Sequence, residues 1–102
     1  MKVEKTEQYQ RWLDGLKDRE GRARILVRVD RLIHGNAGDC RNLTHGVSEL
    51  RIKVGPGYRV YFTKSGNRFI LLLAGGDKST QQKDIAMAIT LASNYEPDED
   101  ET

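Results

Sequence analysis

The spacing of apolar residues changes from about 3.6 to 2 near residue 46, and this switch divides the chain into a helical half and a stranded half. Upstream, Tyr9, Trp12, Leu13 and Leu16 recur at helical spacing behind Thr6, whose hydroxyl can accept from a free backbone N–H. A first helix is predicted over residues 7–17. A second is predicted over 19–34, with Ile25, Leu26, Val29, Leu32 and Ile33 on its apolar face and Gly35 just past its end. Two helices so close in sequence are expected to form an antiparallel hairpin. Residues 1–5 carry a weak edge-strand signal, and 36–46 read as a loop with a short strand near Cys40–Leu43.

Downstream, Leu50, Ile52 and Val54 alternate with Glu49, Arg51 and Lys53, as in a half-buried strand. Gly55-Pro56-Gly57 turns the chain into a second alternating strand, with Tyr58, Val60 and Phe62 against Arg59, Tyr61 and Thr63. The expected register sets Val54, Ile52 and Leu50 against Tyr58, Val60 and Phe62. After Ser65-Gly66-Asn67, the run Phe69–Ala74 is apolar throughout, which predicts a central strand covered on both faces. The three strands make an antiparallel meander. Ser79 and Gln82 then fit a capping box that opens a third helix to about residue 93, with Ile85, Ala88, Ile89 and Ala92 inward. The order predicts a single α+β domain over residues 1–95 and an acidic, disordered tail over 96–102.

Charge points to a polyanionic partner. The net charge of +2 hides an asymmetry, because five of the 15 acidic residues lie in the last seven positions. Residues 1–95 carry 17 basic against 10 acidic groups, a balance that attracts nucleic acid. Cys40 is the single cysteine and His34 and His45 are the only histidines, so no disulfide, metal site or cofactor is expected. The N-terminus lacks a signal-peptide run and Phe69–Ala74 is too short to span a bilayer, so a cytoplasmic protein with no membrane contact is expected.

The strand alternation places Arg51, Lys53, Arg59 and Tyr61 on one sheet face, with Glu49 beside them. Like charges on neighbouring strands repel, which a phosphate-rich ligand would relieve; Glu49 and the acidic tail would relieve it too. Arginine suits a phosphate bidentately, lysine supplies a point charge or a proton, and tyrosine can stack on a base. Arg24, Arg28 and Arg31 share one helix face, which suits RNA contact and equally suits a solvated surface. Gly75-Gly76-Asp77-Lys78-Ser79 joins a strand to a helix N-terminus, where free N–H groups can hold a phosphate; Asp77 can instead brace the turn.

Four segments, Trp12–Leu16, Val47–Ile52, Gly55–Phe62 and Leu72–Ser79, together resemble the RelE/ParE toxin superfamily, and more narrowly its HigB-like, phage Gp49-like branch of addiction module killer proteins. The resemblance covers about residues 3–95. It implies a RelE-like fold, in which an N-terminal helical hairpin packs on a curved antiparallel sheet and a C-terminal helix follows. It also implies an mRNA endonuclease acting in the ribosomal A site, where the 2′-hydroxyl attacks the adjacent phosphate. Arg51, Arg59 and Lys78 fall on the matching catalytic positions, with Lys53 and Tyr61 as weaker counterparts. Several such nucleases carry a C-terminal Tyr or His near the scissile phosphate, and here only Tyr95 is available. The implied partners are a cognate antitoxin of the helix-turn-helix type, the ribosome and mRNA, with operator DNA reached only through the antitoxin complex. Two alternatives stand beside this reading: a non-enzymatic ParE-type inhibitor of DNA gyrase, and a non-toxic nucleic-acid-binding regulator.

Overall fold

The computed structural model of the protein describes residues 2–66 and 68–95, so the expectation for the acidic tail, 96–102, lies outside the described residues. Its elements in chain order are β1 (Lys2–Lys5), α1 (Glu7–Asp14), α2 (Arg19–Ile33), β2 (Cys40–Asn42), β3 (Val47–Ile52), β4 (Tyr58–Ser65), β5 (Phe69–Asp77), a short 3-10 turn (Lys78–Thr80) and α3 (Gln81–Asn94). The five strands form one sheet in the order β1-β5-β4-β3-β2. The meander and β2 pair antiparallel. The weakly signalled N-terminal strand joins it in parallel, with Lys2 opposite Phe69 and Lys5 opposite Leu72.

Two cores lie on opposite faces of the sheet. On one, Tyr9 and Leu13 of α1 and Ile25, Val29 and Leu32 of α2 meet Leu50, Ile52, Tyr58, Val60, Phe62, Ile70 and Leu72. On the other, Ile85, Ala88, Ile89 and Ala92 of α3 cover Val47, Tyr61, Leu71, Leu73 and Ala74. The apolar run of β5 is therefore buried from both sides, as its continuous hydrophobicity requires. Leu26, expected on the apolar face of α2, is 46% exposed. The sheet meets the narrow stripe of Ile25, Val29 and Leu32, with Ile33 partly buried beside it, and one residue's rotation of about 100° takes Leu26 off it.

Both early helices start on side-chain caps. Thr6 Oγ1 accepts from Tyr9 N at 3.1 Å and donates to Leu73 O at 2.5 Å, which ties the start of α1 to β5. Helix α1 stops at Asp14, earlier than its apolar spacing suggests, because Asp18 takes an extended conformation to cap α2. Asp18 accepts from Gly21 N at 3.0 Å and from the Tyr58 hydroxyl at 2.7 Å. The Gly21 N–H, then the Tyr58 hydroxyl, hold the Asp18 carboxyl below the usual carboxylate range. In return Tyr58 is pushed up to about 12, first by its bond to Asp18 and then by burial.

The pH dependence follows from these two shifts. A depressed carboxyl contributes stability above its unfolded pKa of about 4 and loses it as pH falls through the lower folded value. A raised phenol contributes below about 10 and loses that contribution as pH climbs towards 12. The urea midpoint is expected to stay level between about pH 5 and 9 and to fall on either side. In Tyr58→Phe the acid-side fall shrinks; an identical acid limb in that variant would show that Asp18 and Tyr58 are not coupled.

A bulge in β5 sets up the two glycines that end it. Tyr61 pairs with Ala74 but Phe62 pairs with Leu72, so Leu73 is an extra residue and the facing of everything after it reverses. Gly75 consequently faces α1, where a Cβ would lie 2.1 Å from Trp12 Cε3, and Gly76 faces α3, where a Cβ would lie 1.8 Å from Asp84 Oδ2. Gly75→Ala is expected to destabilise by about 2–3 kcal/mol through overpacking against the indole, lowering Tm by at least ~8 °C. A Tm within ~2 °C of the parent would mean that the Trp12 ring moves aside at little cost.

Candidate functional site

The site grows from the β3–β4 register. Arg51 lies directly opposite Arg59, and Glu49 opposite Tyr61, all on the face covered by α3. This register is two residues from the expected one, with Ile52 rather than Val54 opposite Tyr58. The turn takes up Val54–Gly57, closed by Gly57 N to Val54 O at 3.0 Å and with Gly55 and Gly57 at positive φ, so the ladder starts later than alternation suggests. The shift is even, and the side chains keep their faces.

Glu49 is the centre of the arrangement. Its side chain is 0% exposed, against 28% for Arg51 and 10% for Arg59. Glu49 Oε1 accepts from Arg51 Nε at 3.0 Å, and Oε2 accepts from Gln81 Nε2 of α3 at 2.7 Å. Arg59 Nε stands 3.8 Å from Oε2, while its Nη1 donates to Gly57 O at 3.2 Å and Tyr58 O at 3.3 Å. The repulsion between the paired arginines is thus relieved inside the protein by one enclosed carboxylate. Two buried atoms, Arg59 Nε and the Tyr61 hydroxyl, have no hydrogen-bond partner among the described residues.

The strand-to-helix turn brings Lys78 to the same corner. A Cβ placed on Gly57 would lie 3.6 Å from both Arg59 Nη1 and Lys78 Cβ. The Lys78 side chain is exposed and makes no hydrogen bond or ion pair among the described residues. Asp77 braces the turn: its carboxylate accepts from Ser79 N at 2.8 Å and from the Ser79 hydroxyl at 2.5 Å. The capping box therefore runs from Asp77 to Thr80 instead of from Ser79 to Gln82, since the stronger acceptor caps first. Asp84 completes the wall, lying over Gly76 and accepting from Thr80 Oγ1 at 2.5 Å. The corner presents the Arg51 edge and Lys78 to solvent and keeps its acids tied to internal donors.

The other expected residues fall elsewhere. Tyr61 is fully buried beneath α3, so its ring has no face for a base; burial and then the charges of Glu49 and Asp84 push its hydroxyl pKa up. Tyr95 caps α3 at the far end of β5, stacking on Phe69 at 5.8 Å and donating to Glu4. It stands about 26 Å from Lys78, the length of the strand between them, and is no part of this corner. Lys53 lies just past the end of β3, before the turn, with its Nζ 3.5 Å from Asp39 Oδ2. Arg28 is a clamp, donating to Arg51 O at 2.5 Å, Ala37 O at 3.0 Å and Asp39 O at 3.1 Å, which leaves it little for RNA. Arg24 and Arg31 flank it on the α2 side of the sheet, away from the Arg51 and Arg59 side chains. Gln81 and Asp84 belong to the corner without any signal in the spacing; Glu49 was legible through its place two residues before Arg51. Among the described residues no three of His, Cys, Asp and Glu gather as metal ligands, and no helix is long and apolar enough to cross a membrane.

A mixed α+β sheet, two helices on one face and a third on the other, with cations gathered where β4 and β5 meet the third helix, defines a RelE-like domain. The chain belongs to the family described as phage-derived protein Gp49-like, whose pattern matches residues 11–95. That is a family of RelE-like addiction-module toxins. A Haemophilus influenzae protein, named only as uncharacterized, is 44% identical over 92 residues, spanning 90% of this chain and 93% of the relative.

Proposed function

We propose that this protein is the toxin of a type II toxin–antitoxin system and cuts mRNA on the ribosome. The observation that carries the reading is the meeting of Arg51, Arg59 and Lys78 at one corner: two arginines in direct cross-strand register, and a lysine beside the second. In the reaction the ribose 2′-oxygen forms a bond to the adjacent phosphorus and the P–O5′ bond breaks, leaving a 2′,3′-cyclic phosphate and a 5′-hydroxyl. The arginines stabilise the charge that builds on the phosphoryl oxygens, Lys78 hands a proton to the departing 5′-oxygen, and the 2′-hydroxyl proton passes to water. The shallow corner suits a substrate presented by the ribosomal A site. A cognate helix-turn-helix antitoxin holds the activity in check and brings the pair to operator DNA.

A second reading, inhibition of DNA gyrase without catalysis, is favoured by one observation: Glu49 is enclosed and spent on its arginines, and Tyr61 is covered. Ribosomes programmed with a defined transcript separate the two. The first reading expects cuts within the A-site codon and unchanged supercoiling. Intact transcripts together with gyrase inhibition would replace it with the second, and harmless expression without any antitoxin would leave only a nucleic-acid-binding regulator.

A further inference from the structure

A second surface lies on the opposite side of the sheet. Arg24, Val27, Arg28 and Arg31, spaced i, i+3, i+4 and i+7 along α2, line one wall of a groove of about 460 Å³, and Ile52, Lys53 and Val54 line the other. Val27 is 47% exposed, and Leu26 beside it 46%. The Arg24 and Arg31 side chains are exposed and make no hydrogen bond or ion pair among the described residues. Arg28 is turned to the carbonyls of Ala37, Asp39 and Arg51, which fixes α2 against the end of β3 and holds the groove open as a rigid feature.

We propose that this groove docks an acidic amphipathic helix of a partner protein. The chemistry of the lining selects that occupant. A phosphate backbone has no use for the exposed Val27 and the half-buried Val54, whereas a helix can place apolar anchors on them and carboxylates against Arg24 and Arg31. The four α2 positions span about 10 Å, or two helical turns, which matches two or three anchors at i, i+4 and i+7. A lipid surface would press on a protruding apolar ridge, and here the apolar atoms lie between two walls. Bound helix and catalytic corner would lie on opposite faces of the sheet, so the proposal stands or falls independently of the nuclease reading.

The test is an NMR titration of the full chain with a synthetic helix of about five turns, bearing leucines at those spacings and glutamates elsewhere. The expected result is saturable shifts confined to residues 24–31 and 52–54. Val27→Asp, an exposed position that leaves the core untouched, weakens binding about tenfold, and Arg31→Ala weakens it a few-fold. A version of the peptide with glutamine for every glutamate binds at least about tenfold more weakly. No saturable binding, equal binding of the glutamine peptide, or indifference to Val27→Asp would overturn the proposal. So would a single-stranded oligoribonucleotide or phosphatidylglycerol vesicles whose binding, unlike the peptide's, is lost in Val27→Asp.

Discussion

Arg59→Ala is expected to abolish growth arrest and to cut ribosome-dependent cleavage by about 10²–10³-fold, the loss that follows removal of a preorganised charge at a developing oxyanion. The fold should survive. Arg59 reaches Glu49 only at 3.8 Å, and the shorter bonds to that carboxylate, from Arg51 at 3.0 Å and Gln81 at 2.7 Å, stay in place. Arg59→Lys should rescue little, since one ammonium cannot hold the Gly57 and Tyr58 carbonyls, as Nη1 does, and also present a second N–H group towards Glu49, as Nε does. Far-UV circular dichroism of each variant, measured beside the cleavage rate, separates lost chemistry from lost structure. A folded Arg59→Ala that cleaves at the parental rate would remove this arginine from the reaction and leave the corner as an ion-pair network alone.

The largest effect on stability is expected from Glu49→Ala. It strands Arg51 and the almost fully buried Arg59 side by side with no carboxylate between them, a loss of about 3–5 kcal/mol for breaking a buried pair from one side. Against a total stability of roughly 5–15 kcal/mol that is enough to unfold a marginal domain, and Tm should drop by about 15 °C or more. Replacing both ends tests the cause. Glu49→Met with Arg59→Met removes the two buried charges and leaves only Arg51, whose side chain is 28% exposed and can turn to water; apolar replacement of a buried pair is often close to neutral, so the double variant should recover much of the stability while remaining inactive. Equal loss in the single and double variants, read from urea midpoints, would mean that the carboxylate acts through packing and not through charge.

The residues that were legible early are those whose position depends on their neighbours in sequence. Arg51 and Arg59 could be placed on one face because alternation is a property of any strand, and an even slip in register leaves it intact. Ile85, Ala88, Ile89 and Ala92 could be placed inward because helical spacing alone makes the stripe. Tyr61 shares the face of Arg59, yet nothing in the spacing said that α3 would lie over it. Lys53 followed the alternation of β3 on paper, but the chain had already left the ladder for the turn. Arg28 belonged to a basic stripe with Arg24 and Arg31 until the loop at Ala37–Asp39 came within its reach.

The order and type of the elements, the parity of the meander and the gathering of its arginines were set by local periodicity, which a chain carries whatever it packs against. Contacts distant in sequence decided the rest: the parallel place of β1, the bulge at Leu73 that turns Gly75 to Trp12 and Gly76 to Asp84, and the closing of α3 over Glu49. Burial is a property of two surfaces at once. A carboxylate becomes the enclosed hinge of a cationic corner only when a helix some 30 residues away, the separation of Glu49 and Gln81, seals it from water.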